Sequence, residues 1–278
     1  MKVDSHQHFW QYSPDTHDWI GDDMAVLKRD FLPSDLKPLL DQNGIDGCIA
    51  VQASQSEQET EFLLRLASQH TFIRGVVGWV DLQDDKVEDR LAYYAPSEKL
   101  VGIRHIVQSE PDKHFLLRPN FLRGVSLLQQ YNLSYDILIY EHQLPTALEF
   151  VKQLPHTRMV LDHIAKPNIA QGELSPWREN IQSLANYPNV YCKLSGMVTE
   201  AHWQQWQAED IIPYLDIVTE AFGPGRLMIG SDWPVCLVAA SYQEVLAVVD
   251  QYFANFSPDE KAKIYGQNAI DFYQLSST

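Results

Sequence analysis

Four residues have side chains that could carry out hydrolytic chemistry together. His6 and His8 lie two apart near the N-terminus, His163 ends the apolar run MVLD, and Asp232 follows the run IGS. Side chains two apart in a strand point to the same face, so both N-terminal imidazoles can converge on one ligand. Imidazoles with a carboxylate are the ligands of zinc sites that keep a position open for water. The pattern indicates a hydrolytic site, provided that the fold brings the four residues together.

The elements that must position these residues follow a regular alternation. Short β-branched, apolar runs are separated by amphipathic segments throughout the 278 residues, with no linker or change in composition. This alternation is typical of a parallel α/β sheet. We expect one domain, 1–278, of the α/β class, folded as a (β/α)₈ TIM barrel; a doubly wound open sheet is the alternative. The eight predicted strands are 2–8, 47–53, 72–81, 100–107, 134–140, 157–163, 190–195 and 227–231.

The four candidates share a position in this barrel. All of them fall at the carboxyl ends of predicted strands one, six and eight, where barrel enzymes place their catalytic groups. Taken singly, the His-x-His pair could be a local hydrogen-bonding feature, His163 a satisfied polar residue and Asp232 a turn residue. Their shared position favours a joint catalytic role.

Sequence signals for the starts and ends of helices support the same predicted fold. Ser56 with Glu59, and Ser257 with Glu260, are capping-box patterns before apolar helical faces. The second box predicts a last helix over 259–275. Gly44 is expected just after the helix that ends near Asn43.

Charge and composition exclude several classes of partner. The 37 acidic residues exceed the 21 basic ones, giving a formal net charge of −16. This charge argues against binding of nucleic acid and of anionic membranes. No apolar run is long enough for a membrane span or a signal peptide. The three cysteines are far apart, which predicts no disulfide framework and a reduced, cytoplasmic setting.

The sequence resembles a known family along almost its entire length. The similarity is to the amidohydrolase superfamily, and within it to the amidohydrolase-related branch that holds sugar lactonases of the L-fuconolactonase and L-rhamnono-lactonase type. A lone His-x-His motif would not be specific, but the set is. The matching segments are VDSHQHFW (3–10), GIRH (102–105), LDHIAKP (161–167), KLSGM (193–197), GSDWP (230–234) and NAIDFY (268–273).

The resemblance implies at most one divalent ion, with zinc as the first choice. Its ligands would be His6, His8 and Asp232, with His163 as a further candidate. Strand five reads YDILIY and lacks the histidine ligand of most metal-dependent members, although His142 follows it. Strand four has an arginine and a histidine in place of a bridging carboxylated lysine, which argues against a two-metal centre. The branch also contains members that need no metal, so metal use stays open here. A homodimer is an expectation from the resemblance alone.

The expected reaction is the opening of a sugar lactone by water. Asp232 is the candidate general base. His163 and Arg104 are candidates to polarise the carbonyl and stabilise the oxyanion; a structural salt bridge is the alternative for Arg104. Candidate substrate-binding residues stand at or near strand ends, and aromatic packing or surface roles are their alternatives: Trp79, Tyr140, Trp233, His105 and Lys166.

A neutral aldonolactone is the first choice of substrate, because few basic residues stand at the predicted rim. An acidic lactone of the pyrone dicarboxylate or muconolactone type is the alternative. A decarboxylase of the aminocarboxymuconate type would normally keep the strand-five histidine. A catalytically silent barrel that binds a sugar acid is the alternative outside enzymes.

Overall fold

The strands form a barrel. The computed structural model describes residues 1–276, and its eight parallel strands are hydrogen-bonded in the order of the chain. Asp232 N–H donates to His6 O (2.8 Å) and His8 N–H donates to Trp233 O (2.7 Å), and these bonds join the last strand to the first. The sequential order confirms the (β/α)₈ TIM barrel and excludes the doubly wound sheet, whose strand order reverses. The strands are β1 Val3–Gln7, β2 Gly47–Val51, β3 Ile73–Gly78, β4 Leu100–Ile106, β5 Ser134–Leu138, β6 Met159–Leu161, β7 Val190–Leu194 and β8 Leu227–Ile229.

Helices follow the strands and cover the outside of the barrel. The Gly44 prediction is confirmed, since this residue has φ +64° just after α1. Amphipathic spacing gives each long helix one buried stripe, as on α5, where Leu144, Ala147 and Val151 are buried. The helices are α1 Pro33–Gln42, α2 Glu57–Gln69, α3 Val87–Tyr94, α4 Pro119–Leu127, α5 Leu144–Gln153, α6 Trp177–Leu184, α7 Ala208–Phe222, α8 Tyr242–Tyr252, α9 Pro258–Ala262 and α10 Asn268–Tyr273.

The capping boxes form with one difference. At α9 both halves are present, as predicted. At α2 the Ser56 hydroxyl accepts from Glu59 N–H, but the Glu59 carboxylate instead accepts from the backbone N–H groups of Ala53 (2.6 Å) and Ser54 (2.7 Å). Glu59 thus fixes the loop that leaves β2. The predicted last helix is confirmed as α9 and α10 joined by one π-helical turn, Lys263–Gln267.

All eight predicted strands extended one to three residues too far at the carboxyl end. The strands predicted over 72–81, 157–163 and 227–231 end at Gly78, Leu161 and Ile229. After β6 and β8 the backbone leaves the strand conformation for left-handed turns. His163 and Asp232 therefore lie beyond the strand ends, in the turns above the barrel.

The barrel interior is layered. One buried apolar cluster joins Val3 of β1 and Val101 of β4 to Tyr273 of α10. On the same two strands the buried polar side chains of His6 and Arg104 follow toward the carboxyl end. In the part of the chain that the structure describes, no helix has both the length and the apolar character needed to cross a bilayer.

Candidate active site

The four candidate residues meet at the carboxyl end of the barrel. The Asp232 Oδ1 atom lies 3.3 Å from His8 Nε2 and 3.9 Å from both His6 Nε2 and His163 Nε2. The His6 ring centroid is 5.0 Å from that of His8 and 4.3 Å from that of His163. All four side chains are buried. The fold thus forms one compact group of three imidazoles around one carboxylate oxygen.

A backbone carbonyl and a carboxylate lie behind the two imidazoles of β1. His8 Nδ1 lies 2.7 Å from Val51 O, and because a carbonyl only accepts, Nδ1 carries the proton and Nε2 presents its lone pair to the site. His6 Nδ1 lies 3.3 Å from Asp162 Oδ1. A carboxylate behind an imidazole is the usual arrangement that orients a metal-binding histidine.

Left-handed backbone turns aim His163 and Asp232 into the site. Residues 163–166 all have positive φ, from 48° to 61°, and Asp232 has φ +57°. Non-glycine residues rarely adopt this conformation, and it costs of order 1–3 kcal/mol each where the surroundings enforce it. His163 Nδ1 lies 2.9 Å from the Ser195 hydroxyl, and Gly196 packs against the imidazole ring. Such turns concentrate at functional sites because they place side chains that regular strands cannot.

Arg104 lies on the floor of the site, where its two terminal nitrogens have polar partners. Its Nη1 donates to Asp162 Oδ2 (3.0 Å) and lies 3.3 Å from His6 Nε2, while its Nη2 donates to the Gln52 carbonyl and to Gln52 Oε1 (3.1 Å). The guanidinium therefore forms the buried salt bridge that was its alternative role, and it also touches a site imidazole; its catalytic role stays a prediction.

A second ion pair lies beneath the imidazoles. Lys193 Nζ on β7 donates to Asp136 Oδ2 (2.5 Å) and lies 3.0 Å from Asp162 Oδ1 and 3.2 Å from His6 Nδ1. The Tyr273 hydroxyl, from the end of α10, donates to the same Asp136 oxygen at 2.8 Å. These buried polar contacts therefore connect α10 to the site. The two cations, Arg104 and Lys193, compensate the carboxylates of Asp162 and Asp136.

Burial and charge set the protonation states of the site. Burial holds the pKa of His6 and of His163 well below the ordinary value, so both imidazoles are neutral near pH 7. Burial alone would raise the pKa of the Asp232 carboxyl, but attraction to the imidazole N–H of His163 and to the Lys166 ammonium outweighs it, and the pKa lies below its usual range. Asp232 is therefore ionised and can accept a proton.

A cavity of about 580 Å³ opens above this group. This volume lies within the usual range for small-molecule sites. His8, His163, Arg104 and Asp232 form its floor, and Tyr140 and Lys166 stand on its wall, as the sequence predicted for two substrate-binding residues. Its other lining side chains come from the carboxyl ends of β4 and β5 and from the loops after β1, β2, β4, β7 and β8: Thr16, Asp18, Trp19, Met24, Ala53, Ser54, Gln55, Ile106, Gln108, Ser109, Leu138, Thr199, Glu200, Trp203, Val235 and Val238.

The structure does not place three other predicted substrate-binding residues on this cavity. Trp233 is buried against Phe9 and Phe31. His105 follows the inward-facing Arg104, so strand alternation turns it outward, where it stacks on Phe115 and its Nε2 lies 2.7 Å from Glu110 Oε1.

Trp79 donates to His105 Nδ1 at 3.4 Å, behind the barrel wall. His142, the candidate replacement for the strand-five ligand, is exposed and stacks on Tyr140. It is outside both groups of clustered metal-ligand atoms among the described residues, which are His6 with His8 and Asp232, and His6 with Asp162 and His163.

Sequence reasoning missed Asp162, Asp136 and Glu200. The first two are carboxylates inside apolar strand runs, and a charge in such a run signals a buried partner. Lys193 gives the same signal on β7, although its role was left open. Glu200 has no comparable signal, because it stands in a polar loop.

The donor set fits one divalent metal ion. Ligand atoms bound tetrahedrally to zinc are about 3.3 Å apart, and the distances of 3.3 and 3.9 Å from Asp232 Oδ1 to His8 Nε2 and His6 Nε2 are close to this value. His8 has an acceptor behind Nδ1, which leaves its Nε2 available, whereas His6 Nδ1 lies near both Asp162 Oδ1 (3.3 Å) and Lys193 Nζ (3.2 Å). Arg104 Nη1, 3.3 Å from His6 Nε2, would compete with a metal ion for that lone pair.

Comparison with known proteins agrees with this site. The family model described as amidohydrolase matches residues 3–275. The chain belongs to the amidohydrolase family. An L-fucono-1,5-lactonase of Burkholderia multivorans is 43% identical over 99% of this chain and 96% of its own length. An L-fucono-1,5-lactonase of Burkholderia ambifaria is 36% identical over the same shares of both chains, 99% and 96%.

A solved structure extends the comparison to the fold. An amidohydrolase from Burkholderia multivorans, crystallised with bound zinc, superimposes with a TM-score of 0.96 at 42% identity, covering 99% of this chain and 100% of that one. The amidohydrolase family that the sequence motifs predicted is therefore confirmed.

Proposed function

We propose that this amidohydrolase opens a neutral sugar lactone, of the L-fucono-1,5-lactone type, to the corresponding sugar acid. The observation that carries the proposal is the ionised Asp232 carboxylate among three imidazoles, on the floor of a cavity of about 580 Å³. The 43% identity with an L-fucono-1,5-lactonase over 99% of the chain supports the choice of substrate.

Asp232 acts as the general base. Its Oδ1 faces the imidazoles, which leaves Oδ2 to accept a proton from the attacking water. The water oxygen adds to the lactone carbonyl, the bond from the carbonyl carbon to the ring oxygen then breaks, and Asp232 returns the proton to that ring oxygen. The product carboxylic acid ionises, so one proton is released for each lactone opened.

His163 and Arg104 stabilise the oxyanion of the addition step. When the Ser195 hydroxyl donates to His163 Nδ1, the neutral imidazole carries its proton on Nε2 and can donate it to the carbonyl oxygen. Arg104 adds a fixed positive charge on the floor. Groups of this kind are typically worth about 3–4 kcal/mol in the barrier.

We further propose that His6, His8 and Asp232 hold one zinc ion. Bound there, zinc would supply Lewis-acid polarisation of an oxygen in the site. The donor distances and the zinc-bound amidohydrolase from Burkholderia multivorans support this assignment.

A panel of aldonolactones tests the reaction. Each lactone is incubated with the protein in a weakly buffered pH-indicator assay, together with carbon dioxide detection and metal analysis of the same sample. Release of one acid equivalent per lactone is expected. Carbon dioxide release would indicate a decarboxylase instead, and the absence of both would support a silent binding barrel.

Three wider properties belong to the same proposal. One domain spanning 1–278 is supported by the continuous barrel from β1 to α10. A reduced, cytoplasmic setting is supported by the three cysteines, which are buried free thiols. A homodimer stays a prediction.

A further inference from the structure

We propose that Glu200 makes the site selective for uncharged lactones by pairing with Lys166, so that no lysine or arginine among the described residues of the cavity wall is free to receive a substrate carboxylate. The proposal rests on the proposed lactonase function and assigns a specificity-determining residue to it.

The first step concerns the cations of the cavity. Among the described lining residues, Arg104 and Lys166 are the lysine and arginine side chains. Arg104 is engaged by Asp162 and Gln52, as described above. Lys166 is therefore the cation that could meet an anionic group of a ligand.

Lys166 is held from two sides. Its Nζ lies 3.6 Å from Glu200 Oε1 and 5.6 Å from the centre of the Tyr140 ring. The side chains of Lys166 and Glu200 are 16% and 20% exposed, so the pair lies largely within the wall. Lys166 ends the left-handed turn after β6, and Glu200 ends a short turn after β7, so neighbouring loops bring the two charges together.

The charge balance of the wall then disfavours anions. Above the floor, two carboxylates line the cavity, Asp18 and Glu200, against one cation, Lys166. A ligand carboxylate at this wall would meet a paired lysine and a net negative lining, and like charges at close range are strongly unfavourable. Hydroxyl groups can instead donate to Glu200 and accept from Lys166.

The test is the selectivity of Glu200→Gln. Two lactones are compared, D-galactono-1,4-lactone, which is neutral, and D-glucaro-1,4-lactone, which carries a free carboxylate. The amide keeps the shape of the side chain and frees the Lys166 charge. We expect the ratio of kcat/KM for the anionic lactone to that for the neutral one to rise at least about tenfold, equivalent to about 1.4 kcal/mol.

Two further variants separate this effect from others. Glu220→Gln removes the same charge from the exposed face of α7 and should leave the ratio unchanged. Adding Lys166→Met to Glu200→Gln should return the ratio to the wild-type value, because the freed cation is then absent. An unchanged ratio in Glu200→Gln, or an equal rise in Glu220→Gln, overturns the assignment.

Binding measurements keep this outcome distinct from that of the proposed function. Calorimetry with both lactones is carried out on Asp232→Asn and on Asp232→Asn with Glu200→Gln, so that turnover does not interfere. Failure of the wild type to open any lactone refutes the lactonase, whereas an unchanged affinity ratio refutes the role of Glu200. If neither lactone binds to either protein, the role of Glu200 falls, and the lactonase is judged by the aldonolactone panel.

Discussion

Gly196 offers a direct test of how precisely His163 must be placed. This residue has φ +61°, and a Cβ atom added to it would lie 2.6 Å from Nδ1 and 2.8 Å from Cγ of His163. Carbon atoms normally approach to about 3.6 Å, so Gly196→Ala must displace the imidazole or its own loop by roughly 1 Å. That shift would stretch the 2.9 Å contact of His163 with Ser195 and move Nε2 relative to Asp232.

The expected loss of activity follows from that displacement. A misplacement of about 1 Å in a catalytic arrangement can lower the rate about 100-fold, which corresponds to about 2.7 kcal/mol in the barrier. The substitution also places an alanine in the left-handed region, at a cost of about 1–2 kcal/mol in folding free energy. We therefore expect kcat/KM to fall about 100-fold together with a moderate loss of stability.

Gly172→Ala is the matched control. Gly172 has φ +66°, but a Cβ atom there would meet nothing within 4 Å. Its substitution should give a similar backbone cost and leave kcat/KM within about twofold of the wild type. Activity is measured by acid release from a neutral aldonolactone, and stability by urea unfolding followed by circular dichroism. Wild-type kcat/KM in Gly196→Ala, or an equal loss in Gly172→Ala, would refute the reasoning.

Three further predictions concern the base, the metal and the buried ion pair. Asp232→Asn should lower kcat by at least about 100-fold with an unchanged circular dichroism spectrum, because the amide cannot accept the proton; near wild-type turnover would remove its role as base. Chelation should remove about one zinc ion per chain and abolish the activity, and added zinc should restore both. His8→Asn should lower the zinc content measured by mass spectrometry. Full activity in metal-free protein would contradict the zinc assignment. Lys193→Met should cost about 3–5 kcal/mol in unfolding free energy by leaving Asp136 uncompensated, and Asp136→Asn added to it should recover part of that loss. An unchanged urea midpoint in the single variant would show that the pair contributes nothing.

Local sequence patterns were sufficient to predict the fold of this protein. Strand and helix periodicity predicted eight strands in barrel order, because every βα unit repeats the same pattern of burial. Placement at strand ends selected His6, His8, His163 and Asp232, since the carboxyl ends of parallel strands meet at one face. Strand alternation could also have separated the inward-facing Arg104 from the outward-facing His105.

The tertiary structure decided which side chains touch. Asp162 and Lys193 both reach His6, and Glu200 reaches Lys166, across loops and strands that are distant in sequence. The left-handed turn at 163–166 determines the direction of His163 and Lys166. The sequence does not reveal this turn, because its four residues are not glycines and adopt the conformation only where the surrounding structure requires it. The sequence by itself therefore determined where the chemistry lies, whereas the pairing of its charges depends on side-chain directions that only the closed barrel and its loops impose.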